Sequence, residues 1–199
     1  MAVETLVAGA ANLLAGVFLI PQILRLVRTR DTAGVSSTWA AFGALTNTTW
    51  VIYLAMIGLW AAAVAPALAV LAYTIMVRLL VRGDLRRSWI WLSGLYAFLF
   101  SVVAGLGGTD ALAPMLALTP VVQLAPGMTS VFREAHPTGV SPTTWGLSSC
   151  EAVLWGLYGW LVSDTALVGY GLLTGAGSIL ILGRLIATRP RLAYVALHL

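Results

Sequence analysis

Two aromatic pairs at matching spacing carry most of what this sequence can do chemically: Trp50 with Tyr53, and Trp155 with Tyr158. Thr46 and Glu151 each lie four residues before a Trp, so on a helix each trio forms one stripe. Indole faces stack on the apolar face of a sugar or another small ring, and tyrosines one turn further along can close a mouth of the same pocket. The competing reading of these rings is an aromatic belt at a membrane interface. Glu151 is the acidic residue that falls near the centre of an apolar run, where a carboxylate costs roughly 3 kcal/mol on insertion scales. It is therefore expected to face a cavity or a partner, as a substrate ligand, a proton-coupling group or a structural interhelical hydrogen bond. A protonated carboxyl bonded to Asn47, Gln123 or a hydroxyl fits that setting. Asn47, three residues before Trp50, adds a polar contact near the same stripe. No phosphate-binding glycine loop, no His and carboxylate cluster at ligand spacing and no Ser-His-Asp set can be assembled at one depth, which argues against an enzyme, a metal site or a cofactor.

The elements that must position these groups are set by composition. Of 199 residues, 60% are hydrophobic and 9% charged, against roughly 25% charged in a soluble domain. A water-soluble chain of this length needs a polar skin that this one lacks, so the bilayer is the expected solvent. Apolar stretches near the roughly 20 residues that cross the hydrocarbon recur throughout. They predict seven transmembrane helices, at about 5–27, 38–57, 60–81, 88–107, 111–132, 143–162 and 165–186. The first tolerates Asn12, Pro21 and Gln22 and has no basic region before it, so it is expected to remain as a span rather than be cleaved as a signal peptide.

All eleven basic residues are Arg. They cluster at 25–30, 78–87, 133 and 184–191, whereas the connections near 58, 108 and 164 hold no basic residue. The positive-inside rule makes the Arg-bearing loops cytoplasmic, with the N-terminus outside and the C-terminus inside. The net charge of +4 thus speaks of topology and anionic lipid and not of a nucleic-acid partner. Cys150, the single cysteine, falls inside a span and offers no disulfide framework.

An internal repeat organises the chain. A shift of 105 residues brings Pro21 onto Pro126, Arg28 onto Arg133, and Gly34-Val35-Ser36 onto Gly139-Val140-Ser141. The same register carries Thr38 onto Thr143, Trp50 onto Trp155 and Tyr53 onto Tyr158. The chain is therefore expected to hold two triple-helix units, 5–82 and 111–187, with 88–107 as an unpaired linker. Three helices end on the side opposite their start, so the linker's role is to return the chain and make the two units parallel. Parallel repeats about an axis along the membrane normal are an established transporter plan, with the site near the midplane between the repeats. Pro21 and Pro126 each remove a backbone donor and strain the preceding turn, so each is a candidate hinge for gating the inner mouth, against the alternative of a static kink.

The Pro21-Gln22 pair, the Arg-rich turn after it, the Thr32 to Ser36 segment and the Trp-x-x-Tyr of the next helix resemble the PQ-loop repeat. Within that superfamily, three plus one plus three helices most resemble SWEET and SemiSWEET sugar transporters. The second copy reads Pro126-Gly127, without the glutamine, and the third-helix positions where SWEET-like sites carry asparagine are Pro66 and Gly171. Matching irregularities at Pro66 and Gly171 can expose backbone carbonyls to a cavity, or simply permit close helix approach. The resemblance implies a facilitative carrier of a small polar solute, a sugar first, with Trp50, Trp155, Asn47, Glu151 and Gln123 at the site and Pro21, Gln22, Pro126, Tyr53 and Tyr158 at gates or hinges. A proton-coupled carrier of amino acids or other small metabolites through Glu151 is the alternative. A membrane receptor that binds without transporting is a third reading. One chain holds both units, so one copy suffices for a pathway, and self-association stays open. Short loops and the lack of a targeting extension point to a bacterial inner membrane.

Overall fold

The computed structural model describes residues 3–80 and 87–188, and every regular element among them is helical. There are eight helical segments: α1 (Val3–Val17), α2 (Ile20–Thr29), α3 (Ser37–Met56), α4 (Trp60–Leu80), α5 (Arg87–Ala117), α6 (Thr119–Arg133), α7 (Pro142–Leu161) and α8 (Thr165–Ala187). Arg82, Arg86, Arg189 and Arg191, and with them the close of the first expected unit, lie outside the described residues.

Counted as continuous stretches these segments make six, not the seven expected. Only two residues part α1 from α2, and one residue parts α5 from α6. Among the described residues four stretches combine the length and apolarity to cross a membrane: Val3–Thr29, Trp60–Leu80, Gly94–Arg133 and Thr165–Ala187. The third runs 40 residues, about 60 Å if straight and twice a hydrocarbon core. It is not straight, because Gly108 within it has φ 59° and ψ −147°, a conformation that only glycine adopts without strain. A one-residue break is what fuses two expected spans into one counted stretch. α3 and α7 are 20 residues each, about 30 Å, but carry more hydroxyl and small polar residues than the other long helices.

The packing pattern is closed under exchange of the two expected units. α1 packs on α4 and α7, and α6 packs on α8 and α3, while α3 pairs with α4 and α7 with α8. α5 lies against α8 and α3. α3 and α7 begin at the same end of the bundle. Ser36 and Ser141 cap them through hydrogen bonds from the Trp39 and Thr144 amides, and the loops before them touch, with the Gly139 N–H donating to Ala33 O at 3.0 Å. A Cβ on Gly34, which has φ +78°, would lie 2.6 Å from Pro137 in the other loop. Arg28, Arg78, Arg133 and Arg184 close the last turns of α2, α4, α6 and α8 at this same end, where a cation also complements the helix dipole.

Side chains that fall on equivalent positions complement one another rather than repeat. Gly43 leaves the space that the Tyr73 ring fills, since a Cβ there would meet the ring at 2.5 Å. At the equivalent pair, Ser148 and Ser178, two small hydroxyls bond to each other at 3.0 Å. Gly127 likewise accommodates Trp39, 3.3 Å from where a Cβ would be, while its equivalent Gln22 makes polar contacts instead.

Candidate functional site

Trp50 and Trp155 lie two-thirds of the way along α3 and α7, each only 4% exposed. Together they wall a central cavity with Ala15 and Phe18 from the α1–α2 strand of chain, Asn47 and Leu54 from α3, Pro66 and Tyr73 from α4, Glu151 from α7, and Leu167 and Tyr170 from α8. The space among these side chains is about 430 Å³, part of it open to solvent. Tyr53 and Tyr170 meet the Trp50 ring edge-on, with centroids 5.8 and 5.3 Å away, and Tyr158 meets Trp155 in the same way at 5.9 Å.

A second, smaller cavity adjoins it toward the Arg-bearing end and shares Phe18, Tyr73, Glu151 and Tyr170 with the first. Gln123 opens onto this lower cavity and not the upper one. Its side chain is committed, accepting from Thr46 Oγ1 and donating to Tyr73 Oη, each at 2.9 Å. Asn47 borders the upper cavity, but its amide donates back to Gly43 O at 2.8 Å. The expected bond of Glu151 to Asn47, Gln123 or a hydroxyl is therefore not formed. Glu151 Oε1 instead accepts from Trp155 Nε1 at 3.0 Å, because residues four apart on one helix lie one above the other. Trp50 Nε1 has no such neighbour and donates across to Thr119 Oγ1 at 3.2 Å, at the start of α6.

Contacts between the expected units bridge the bundle at both ends. At one end Tyr53 Oη donates to Asp164 Oδ2 at 2.8 Å, while Asp164 Oδ1 caps α8 by accepting from the Leu167 amide. Tyr158 has no equivalent bond, since the residue at the register position of Asp164 is Leu59. At the Arg-bearing end Gln22, 1% exposed, spans the two units with both ends of its amide. Its Nε2 donates to Gly139 O at 2.9 Å and its Oε1 accepts from the Ser141 N–H at 2.8 Å, much as a neighbouring strand would. Arg25 Nε adds a bond to Thr138 O at 2.7 Å. In the same turn Asp31 accepts from the Ala33 amide, and that bond, followed by one from Thr138, holds its carboxyl below the ordinary range.

The two prolines are not in equivalent settings. The chain breaks at 18–19 and α2 starts with Pro21 in its first turn, a position that needs no N–H donor. Pro126 instead sits inside α6, beside an open groove with Thr129 and Arg133, and the break in that unit falls at Leu118, just before Pro120. Pro66 interrupts α4, and Asn12 occupies the ladder beside it. Asn12 Nδ2 donates to Ala61 O and its Oδ1 accepts from the Ala65 N–H, both at 2.9 Å, which satisfies backbone groups that lipid could not. Gly171 serves close approach, since a Cβ there would lie 2.6 Å from Ala152 O and from the Gly156 backbone.

Sequence reasoning passed over Tyr73, Tyr170, Phe18, Thr119 and Asp164. The shift of 105 pairs Tyr73 with Ser178 and Tyr170 with Ala65, so a search for repeated residues skips them. Asp164 was visible as an N-cap before an apolar run, though its second role in holding Tyr53 needs the folded chain.

No family model matches the chain, and no curated protein matches it with significance.

Proposed function

We propose that this chain is a membrane carrier that moves a small polar solute by alternating access between two parallel three-helix units. The observation that carries the reading is a central cavity walled by Trp50 and Trp155, one from each expected unit, with bonds between the units near both ends of the bundle. Opening either mouth while the other stays shut requires only that one set of bonds break, which is the economy of a rocking mechanism. On this reading the chain crosses the bilayer seven times, with the turn at Gly108 separating the fourth and fifth crossings. The Arg-bearing end then faces the cytoplasm, in keeping with a bacterial inner membrane. The SWEET resemblance supports a sugar as the first solute to test.

A second reading is favoured by one feature, the free Oε2 of buried Glu151, which suits a proton-coupled carrier of an amino acid or other small metabolite. Purified protein in proteoliposomes tests both. Saturable uptake of labelled glucose or of an amino acid, lowered at least tenfold by Trp50→Ala or Trp155→Ala, is the expected result. Dependence on an imposed pH gradient selects the second reading. Binding without flux of any solute would instead make the chain a receptor and end the carrier proposal.

A further inference from the structure

The asymmetry between the two units isolates Glu151. In the 105-residue register it stands where Thr46 stands, and Phe18 stands where Gln123 stands. Thr46 and Gln123 bond to each other across α3 and α6. Their counterparts, Glu151 and Phe18, border the same two cavities, but a phenyl ring offers a carboxyl nothing to bond. Glu151 is 3% exposed, and its Oε2 has no partner among the described residues.

Around that oxygen the walls are aromatic. Phe18, Trp50, Tyr73, Trp155 and Tyr170 line the cavities that Glu151 borders. Their faces carry negative quadrupole potential, which attracts cations and disfavours anions. The groups facing Glu151 from the packed helices are Phe18 before α2, Asn47 and Trp50 on α3, Tyr73 on α4, Gln123 on α6, and Tyr170 and Thr174 on α8. The two tyrosines are the titratable ones among them, and among the described residues no Arg, Lys or His lines either cavity. Trp39, Thr144 and Trp145, whose Nε1 and Oγ1 atoms are buried without a partner among the described residues, line the lower cavity with Glu151. A lone carboxylate in such an interior is costly until a positive charge matches it.

Resting on the carrier reading, we propose that the central site takes a small organic cation, an alkylammonium or guanidinium, paired with Glu151 Oε2 and boxed by the aromatic faces. The empty site keeps its carboxyl neutral with a proton, and the arriving cation displaces that proton to solvent. One cation bound therefore releases one proton, charge is conserved, and the two occupants exclude each other. A carrier built this way exchanges protons for organic cations.

Calorimetric titration of the purified protein with choline, guanidinium and glucose, in two buffers of different ionisation enthalpy, counts the protons released. At pH 6 choline or guanidinium is expected to bind with release of about one proton per cation, and affinity should fall about tenfold for each further pH unit in acid. Glu151→Gln, which keeps the acceptor for Trp155 Nε1, should lose at least 100-fold in cation affinity and release no proton. Phe18→Gln, which gives Oε2 a donor, should weaken cation binding at least tenfold while raising the melting midpoint. If neither cation binds, or if either binds without proton release and equally well to Glu151→Gln, the inference is overturned. Glucose flux into proteoliposomes that survives Glu151→Gln would overturn it while leaving the carrier reading intact. Absence of flux for all three solutes, with and without a pH gradient, would remove the carrier reading itself.

Discussion

Gln22 offers the sharpest test of how the Arg-bearing mouth is held shut. Replacing it with alanine removes the 2.9 Å bond to Gly139 O and the 2.8 Å bond from the Ser141 N–H, in a position that is 1% exposed. The two backbone groups stay buried in the closed state, and each buried group left without a partner costs about 1–3 kcal/mol. When the mouth opens, water satisfies both. The closed state therefore loses about 2–6 kcal/mol relative to the open one, which raises the open fraction roughly 30- to 20,000-fold. Ser148 lines the lower cavity just inside this mouth, so a cysteine there, with Cys150 replaced by serine, reports opening. Its labelling by a membrane-impermeant thiol reagent should accelerate by that factor in Gln22→Ala, until the open state dominates. Gln22→Glu should act in the same direction, because a carboxylate cannot donate to Gly139 O. Unchanged labelling in both variants, with folding verified by an intact melting transition, would refute the claim that this amide holds the mouth.

At the other mouth Tyr53→Phe removes the 2.8 Å bond to Asp164 and should raise access from that side several-fold, whereas Tyr158→Phe, which breaks no such bond, should leave it unchanged; thiol labelling of a cysteine at Leu54 separates the two. Gly171→Ala drives a methyl to 2.6 Å from the α7 backbone and should lower stability by about 3 kcal/mol, read as a reduced melting midpoint, while Gly9→Ala meets nothing within 4 Å and should be neutral or slightly stabilising. Asp31, outside the membrane-crossing segments, has its carboxyl held low chiefly by the Ala33 amide and then by Thr138. A lowered folded-state value means its contribution to stability is full above the unfolded value of 3.8 and is lost as pH falls through the folded one. Asp31→Asn should therefore lower the neutral plateau of the melting midpoint and flatten its acid limb, so that the two proteins converge below about pH 4.

Composition and periodicity alone determined that the chain is helical and apolar enough for a membrane, because 9% charge leaves too little polar surface to face water on every side. The shift of 105 residues also placed Trp50 and Trp155 in matching roles, since a register in sequence becomes a register along two helices of equal length. What the register hid was decided by the tertiary structure. α1 packs on α7 and α3 on α6, so each side chain is judged by what stands opposite it and not by its own counterpart in the register. Gln123 finds Thr46, whereas Glu151 finds Phe18; Tyr53 finds Asp164, whereas the position that would answer Tyr158 is Leu59. The number of separate helices was likewise not legible, because a single positive-φ glycine at 108 can interrupt a helix without the polar run by which sequence announces a loop. Local preference writes the helices, but partnership across an interface, which no one-dimensional pattern contains, chooses which of their polar groups are left to bind something else.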